Sequence, residues 1–103
     1  MNGIILLKNN YTYEGKIIDN EPHGHGTFYY VNEDQYDGDC KYGKPDGFGK
    51  YQYKNKSTYV GFFSCGKIHG IGTFEDSVNI YKGTWRNSKK YGMFYRTKKA
   101  ICK

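Results

Sequence analysis

Histidine and cysteine are the side chains of this chain that could do metal or nucleophilic chemistry, and there are three of each. His23 and His25 are separated by one residue, so on an extended strand they would share a face and could reach one metal ion. His69 would lie about 19 Å from His23 by strand spacing, which leaves the pair without a third ligand. The sequence therefore predicts no metal site and no cofactor.

The cysteines also give no catalytic arrangement. Cys40, Cys65 and Cys102 form no metal-type pair and are odd in number, so we interpret them as free thiols in a reducing compartment. No histidine has a plausible nucleophile by spacing. No glycine cluster matches a nucleotide-binding loop, because the glycines recur on a strand period rather than opening a helix. We therefore predict that the protein is not an enzyme.

The glycines and aromatic residues instead belong to one motif that occurs four times. It reads Tyr-x-Gly, then about eight residues, then Gly-x-Gly or its remnant, then an aromatic residue. The four copies start at Tyr13, Tyr36, Tyr59 and Tyr81, which are 23, 23 and 22 residues apart. A fixed period of this size indicates small units that are stable only when stacked, and such arrays offer surface rather than a closed pocket.

The motif resembles the MORN repeat pattern, Y-x-G-x-[WF]-x-x-G-x-x-H-G-x-G-x-[FY]. The third copy matches it almost letter for letter, through Tyr59, Gly61, Phe63, Gly66, His69, Gly70, Gly72 and Phe74. The departures in the other copies are Asn20, Cys40, Asp46, Ser88, Tyr91 and Phe94. The resemblance covers residues 3–96. It implies an array that binds proteins or membranes, and family members that are enzymes append a separate catalytic domain.

Each copy reads as two extended stretches around a turn, with Asn20, Gly43 and Gly66 where a hairpin needs positive φ. We predict an all-β fold: one elongated antiparallel meander sheet of stacked hairpins with about nine strands, and at most a turn or two of helix near the C-terminus. The array spans residues 1–96, with a half repeat at 3–12 and repeats from 13, 36, 59 and 81. A basic tail follows at 97–103.

Alternation assigns side chains to faces if no bulge intervenes. One face, the ladder face, then carries Tyr13, Gly15, Ile17, Gly24, Gly26 and Phe28 with their equivalents. We expect the glycines to leave room for an aromatic ring of the neighbouring repeat. Phe94 and Arg96 should end the ladder and make the fourth copy a cap. The residues that we expect to contact a partner on this face are Tyr13, Tyr36, Tyr59, Tyr81, Phe28, Tyr51, Phe63, Phe74 and Trp85.

The opposite face, the back face, carries apolar residues where a solvated surface should be polar. They are Ile4, Leu6, Phe48, Phe62, Ile71 and Met93. Three explanations are open: a bulge that swaps the faces, coverage by the C-terminal tail, or a surface for contact with a partner. The segment 4–7 is apolar on both sides and would form an edge strand, which invites pairing with another chain.

Charge is segregated along the chain. Residues 1–51 carry 5 basic and 8 acidic side chains, whereas residues 52–103 carry 11 basic and 2 acidic ones. The basic end is either a solvated surface or a site for a polyanion such as an anionic lipid headgroup. The predicted polyanion-binding residues are Arg86, Lys89, Lys90, Arg96, Lys98 and Lys99. Nucleic acid is a less favoured partner, since these cations do not alternate with exposed rings.

These observations favour a non-enzymatic adaptor or scaffold that binds a protein partner or forms a homodimer, through its aromatic face or its sheet edge. The alternative is a peripheral module that binds anionic lipid, such as phosphoinositide, through its basic C-terminal half. No apolar run approaches the roughly 20 residues that span a bilayer. We expect a cytoplasmic location, with association to membrane or cytoskeleton as a further expectation.

Overall fold

A computed structural model describes residues 1–99, without the side chain of Asn9. It consists of nine strands and one short 3-10 turn, Lys8–Asn10. The strands are β1 (Asn2–Leu6), β2 (Thr12–Ile18), β3 (Glu21–Tyr29), β4 (Gln35–Lys41), β5 (Lys44–Gln52), β6 (Thr58–Ser64), β7 (Lys67–Glu75), β8 (Asn79–Arg86) and β9 (Lys89–Lys98).

All nine strands form one open antiparallel sheet, in which each strand pairs with its neighbour in sequence. The molecule measures 45 × 32 × 21 Å along its principal axes. The prediction of an elongated meander of nine strands is therefore confirmed. Within residues 1–99 the one helical turn lies near the N-terminus, and none lies near the C-terminal end of this range, which agrees with the prediction of at most a turn or two there. Strand β9 continues to Lys98.

Strand β1 pairs with β2 in the register that the second strand of each hairpin has with the next repeat. Gly3 pairs with Gly15 in the same way that Gly26 pairs with Gly38 one repeat later. The head of the chain therefore joins the array in the regular register, and its outer edge has no strand beside it within the described residues.

Two-residue turns connect the strands of each hairpin, and both residues of each turn have positive φ. The turn pairs are Asp19–Asn20, Tyr42–Gly43, Cys65–Gly66 and Asn87–Ser88. Such turns match the right-handed twist of the flanking strands, and glycine or asparagine adopts them at low cost. The predicted turn positions at Asn20, Gly43 and Gly66 are confirmed, with φ of 63°, 78° and 83°.

Successive turns are also bonded to one another through the backbone. The N–H of Gly43 donates to the carbonyl of Pro22 at 3.1 Å, and that of Gly66 donates to the carbonyl of Pro45 at 2.8 Å. The N–H of Ser88 donates to the carbonyl of Ile68 at 2.8 Å. The hairpin turns thus form a continuous wall along one end of the strands. Main-chain hydrogen bonds set the spacing between successive turns.

The first tyrosine of each of the first three repeats lies over a glycine of its own hairpin. The Tyr13 ring fills the space above Gly26, the partner of Gly15 on the adjacent strand. Its hydroxyl donates to the carbonyl of Lys16 at 2.7 Å and lies 3.2 Å from that of His25. Our expectation that the covering ring comes from the neighbouring repeat is wrong, because the side chain leans along its own strand and across the hairpin.

A bulge in each hairpin changes one face assignment. The register shifts between Gly15 and Ile17, and the equivalent shift recurs in every later hairpin. Gly24 has a φ of 105°, and a Cβ there would meet the aliphatic chain of Lys16 at 3.0 Å rather than an aromatic ring. The placement of Gly24 on the ladder face is therefore wrong. Sequence alternation does not foresee two extra residues in the second strand of a hairpin.

Aromatic rings in edge-to-face contact form the core, on the ladder face. Its buried members are Tyr13, Phe28, Tyr36, Cys40, Tyr59, Phe63, Ile68 and Trp85. Cys40 takes the position that Phe63 and Trp85 hold in later repeats, and its Sγ lies 3.6 Å from the Tyr13 hydroxyl oxygen. Neighbouring repeats thus share a single layer of rings, which suits a sheet that is poor in leucine and valine.

The fourth repeat ends this layer. Phe94 stands opposite Gly83, and its ring fills the space that the tyrosine fills in the other repeats. It packs edge-to-face on Trp85 with ring centres 5.0 Å apart. The Tyr81 hydroxyl instead accepts a hydrogen bond from the side-chain amide of Asn79 at 3.3 Å. Arg96 pairs with Tyr81 where earlier repeats place a ring.

Candidate partner-binding groove

The structure divides the nine predicted contact residues of the ladder face between core and surface. Six are buried in the core: Tyr13, Tyr36, Tyr59, Phe28, Phe63 and Trp85. Tyr51, Phe74 and Tyr81 are partly exposed. The three buried tyrosines have no exposed area at all, so they support the sheet and leave no surface for a partner. This corrects the expectation that they contact a partner directly.

A second row of rings lies above this core, and only Tyr51 among its members was predicted from the sequence. The row consists of Tyr11, Tyr30, Tyr51 and Tyr53. Successive ring centres are 4.6, 5.7 and 4.7 Å apart, and Phe74 extends the row at 5.8 Å from Tyr53. Tyr11, Tyr30 and Tyr53 were missed because they lie outside the repeated motif. The signal was present, since Tyr30 and Tyr53 stand one period apart.

The loops between repeats hold this tyrosine row in place. The N–H of Tyr30 donates to the carbonyl of Asp34 at 3.0 Å, and that of Tyr53 donates to the carbonyl of Ser57 at 2.9 Å. The Asp34 carboxylate accepts the Tyr51 hydroxyl at 2.8 Å and the Lys54 N–H at 2.9 Å. One carboxylate therefore ties a ring of the second repeat to the loops on both sides of it.

Three members of the tyrosine row, Tyr11, Tyr30 and Tyr51, line an open groove of about 970 Å³ on the ladder face. Phe28 and Tyr51 form its floor. The hairpin turns form one wall, which includes Glu21, Tyr42, Lys44, Pro45 and Lys67. The loops between repeats form the other wall, which includes Leu7, Lys8, Tyr11, Tyr30 and Val31. The groove crosses the strands, so it follows the long direction of the array.

Lysines give the groove its charge. Lys8, Lys44 and Lys67 are exposed along its walls, and Glu21 is its one carboxylate. Burial raises the pKa of Tyr30 well above its usual value of 10.0. Burial, and then the hydrogen bond to Asp34, does the same for the pKa of Tyr51. The rings are therefore neutral near pH 7, and the groove carries a net positive charge.

The apolar residues predicted for the back face are exposed there. Phe48 and Phe62 are 51% and 47% exposed, and their rings pack edge-to-face at 5.5 Å. Ile71 and Met93 on the same face, and Ile4 and Leu6 on β1, are more exposed still. The bulges do not change the assignment of these six residues to the back face. Within residues 1–99 no segment covers these side chains.

The six predicted polyanion-binding residues do not form one patch. Lys90, Arg96 and Lys98 lie on the ladder face, opposite Trp85, Tyr81 and Asn79. The ammonium group of Lys90 is 4.0 Å from the centre of the Tyr81 ring, a cation–π contact. Arg86 and Lys89 pair with each other on the back face. Lys99 forms an ion pair with Glu75 at 2.7 Å.

The histidines and cysteines stay apart in the fold. His25 lies 3.6 Å from Asp37 and 3.6 Å from Asp39 on the exposed back face. The His69 Nδ1 accepts the N–H of Asn87 at 3.3 Å. Over the described residues there is no cluster of three or more side chains suited to a metal ion. Cys40 is buried and Cys65 exposed, both as free thiols, and Cys102 lies outside the described residues.

None of the helical structure in residues 1–99 is long and apolar enough to cross a membrane.

The comparison with protein families gives one match, to the model of the MORN repeat, over residues 13–35, 36–58, 59–77 and 81–93. Among curated proteins, none is significantly similar to this chain. The family match has the same four starting tyrosines as the repeated motif, and each match begins at the first strand of a hairpin.

Proposed function

Because the chain belongs to the MORN repeat family, whose non-catalytic repeats contact proteins and membranes, we propose that it is a non-enzymatic adaptor. It binds a segment of a protein partner in the groove between the turn wall and the loop wall. The observation that carries this proposal is the tyrosine row, whose rings are held in place by the loops yet remain partly exposed.

Such rings are suited to binding. Each aromatic side chain has a large apolar surface, and the area that remains exposed contributes about 25 cal/mol per Å² when a partner covers it. The main-chain bonds of the walls and the Asp34 carboxylate order the groove in advance, which reduces the entropy lost on binding. The groove is open along the array, so its shape fits a chain segment better than a compact small molecule.

Selection from a random peptide library displayed on phage tests this proposal, because the library covers many partner sequences at once. We expect the selected peptides to share a motif and to lose affinity when Tyr30 and Tyr42 in the groove are replaced by serine. The matched control replaces Phe62 on the back face by serine and should keep the affinity. Selected peptides that bind the groove variant as well as the wild type would contradict the proposal.

A second candidate function is attachment to an anionic membrane by the back face of β8 and β9. Tyr91 and Tyr95 are 54% and 72% exposed there. The Arg86 guanidinium lies 4.9 Å from the centre of the Tyr91 ring, and Lys89 pairs with Arg86. Exposed aromatic rings next to basic side chains are typical of surfaces that bind lipid headgroups.

Sedimentation with vesicles tests this second function. The protein should sediment with vesicles that contain phosphatidylserine, and less of it at high salt, because exposed charges are screened. Replacing Arg86 and Lys89 by glutamate should abolish sedimentation, whereas replacing Lys98 and Lys99 should not. Binding that resists salt or survives the first exchange would exclude an electrostatic membrane site.

Self-association at the sheet edge is the other route by which this chain could act as a scaffold. Ile4 and Leu6 are 67% and 72% exposed on β1, whose outer edge has no partner strand within the described residues. Antiparallel pairing of β1 with the same strand of a second copy would use these edge groups and continue the sheet.

A further inference from the structure

We propose that the groove is specific for an acidic, extended segment whose carboxylates recur at every third residue. This inference rests on the proposed function, and it adds the chemistry of the partner. The lysines of the two walls, rather than the rings, give the groove this specificity.

The three lysines of the groove are without carboxylate partners in the described structure. The ion pairs of residues 1–99 involve His25, Lys54 and Lys99, and none involves Lys8, Lys44 or Lys67. Glu21 is the only acidic residue of the groove lining. An acidic partner would therefore find unpaired cations, whereas a basic partner would meet repulsion from both walls.

Lys44 and Lys67 occupy one repeated position, the first residue of the second strand in a hairpin. Lys89 holds this position in the fourth hairpin and Glu21 holds it in the first. Within the groove the turn wall thus has one negative charge, at Glu21, followed by two positive ones, whereas Lys89 lies beyond the groove lining. Neighbouring members of the row are two strands apart, which corresponds to about 9.5 Å.

This spacing selects a conformation for the bound segment. A polyproline II helix rises about 9.3 Å per turn of three residues, so residues i and i+3 point the same way at nearly the spacing of the lysines. Carboxylates at every third residue would face the turn wall in succession. The residues between them would face the tyrosine row, and aromatic grooves bind proline-rich segments of this conformation in other proteins.

Fluorescence anisotropy with three labelled peptides of twelve residues tests the proposal. They contain four units of Glu-Pro-Leu, Gln-Pro-Leu or Lys-Pro-Leu. We expect the glutamate peptide to bind about tenfold more tightly than the glutamine peptide, as two exposed charge pairs with Lys44 and Lys67 allow. The lysine peptide should not bind. A twelve-residue oligouridylate is measured in parallel as a polyanion of another class.

Charge reversal gives the decisive comparison. The double variant Lys44→Glu/Lys67→Glu should lose the preference for the glutamate peptide and bind the lysine peptide instead. The control Lys50→Glu/Lys82→Glu changes the net charge equally but on the back face, so it should keep the wild-type preference.

The outcomes separate this inference from the proposed function. Equal binding of all three peptides, lost on Tyr30→Ser, would overturn the acidic preference and leave the groove as a binding site. No binding of the glutamate peptide, or a preference unchanged by Lys44→Glu/Lys67→Glu, would overturn the inference. Oligouridylate could bind more tightly than the glutamate peptide and lose this binding in Lys44→Glu/Lys67→Glu. That result would overturn the inference in favour of nucleic acid. Failure of library selection to give groove-dependent peptides would instead contradict the proposed function.

Discussion

The ring of Tyr59 occupies the space above Gly72 into which any other residue would project its side chain. Gly72 lies opposite Gly61 on the adjacent strand, so two residues without side chains make room for one ring. The Tyr59 hydroxyl then reaches the carbonyl of Phe62 at 3.1 Å. Tyrosine and glycine in this hairpin are therefore one structural unit, and neither can change alone without cost.

The first prediction is that Gly72→Ala destabilises the fold, because the new methyl group must displace the Tyr59 ring. We expect the free energy of unfolding to fall by about 1–3 kcal/mol, the usual cost of overpacking. The measurement is urea unfolding followed by circular dichroism. The control is Gly3→Ala, whose Cβ would meet only the flexible end of Ile17 at 3.1 Å. Equal losses in the two variants would contradict the ring-over-glycine unit.

The second prediction compares two tyrosines. Tyr59→Ala should lower the free energy of unfolding by about 3–5 kcal/mol, because the ring is fully buried and packs edge-to-face on Phe63 and Trp85. Tyr30→Ala should lower it by about 1–2 kcal/mol, since part of that ring is already exposed. Similar melting temperatures for the two variants would show that the tyrosine row, and not only the core, holds the sheet together.

The third prediction concerns alkaline pH. Burial raises the pKa of Tyr59 from 10.0 to about 12, so the folded state keeps a proton that the unfolded state loses first. The stability from this tyrosine is complete below pH 10 and is lost as the pH rises towards 12. The slope is about 1.4 kcal/mol per pH unit for one tyrosine.

Burial raises the pKa of Tyr13 and Tyr36 in the same direction, so the fall in stability above pH 10 should be steeper than one group gives. Urea unfolding at a series of pH values between neutral and strongly alkaline measures it. Tyr59→Phe keeps the ring but cannot ionise, so its stability should fall less steeply than that of the wild type. Parallel curves for both proteins would contradict the assignment.

The fourth prediction concerns the outer edge of β1. Ile17 donates to the carbonyl of Met1 at 2.7 Å and Leu7 to that of Tyr11 at 2.8 Å, so alternate residues of this strand bond to β2. Ile5 belongs to that set, whereas Ile4 directs its N–H away from the sheet. If copies pair through β1, light scattering should give twice the 12.0 kDa of one chain for the wild type and one chain for Ile4→Pro.

Ile5→Pro is the matched variant, because it removes a donor that β1 uses to bond to β2. It should loosen β1 itself and lower stability, whereas Ile4→Pro should leave the melting temperature of the monomer nearly unchanged. A wild-type protein that is monomeric at high concentration, with rapid amide exchange at residues 4–7, would exclude edge pairing.

Much of the fold could be predicted from the sequence, because each repeat contains the residues that specify its own turn and strand register. The turn residues Gly43 and Gly66 and the spacing from Gly3 to Tyr13 specify hairpins and register locally. The bulges could not be foreseen. Alternation places Gly24 on the ladder face, and only the bulge opposite Lys16 turns it away from the rings.

The candidate site was less predictable than the fold. Motif residues such as Tyr13 and Tyr36 proved to be core residues. The tyrosines and glycines by which a repeat is recognised are the residues that pack the core. Tyr11 and Tyr30 lie in loops one step beyond the paired residues Thr12 and Tyr29, so their approach to 4.6 Å follows from the register of β2 and β3. The predicted polyanion site grouped Lys89 with Lys90 because they are neighbours in the sequence, whereas alternation along β9 places them on opposite faces.

The covering of a strand glycine by a tyrosine of the same hairpin, as at Gly26, Gly49 and Gly72, makes the unit of about 23 residues transferable. An in-frame duplication of one unit in the gene would bring its own ring, its own glycines and its own turn. It would lengthen the groove by two strand spacings, about 9.5 Å, or about three residues of an extended ligand. The copy number of this array would then act as a molecular ruler, and changes in that number would select shorter or longer ligands without any change in the chemistry of the walls.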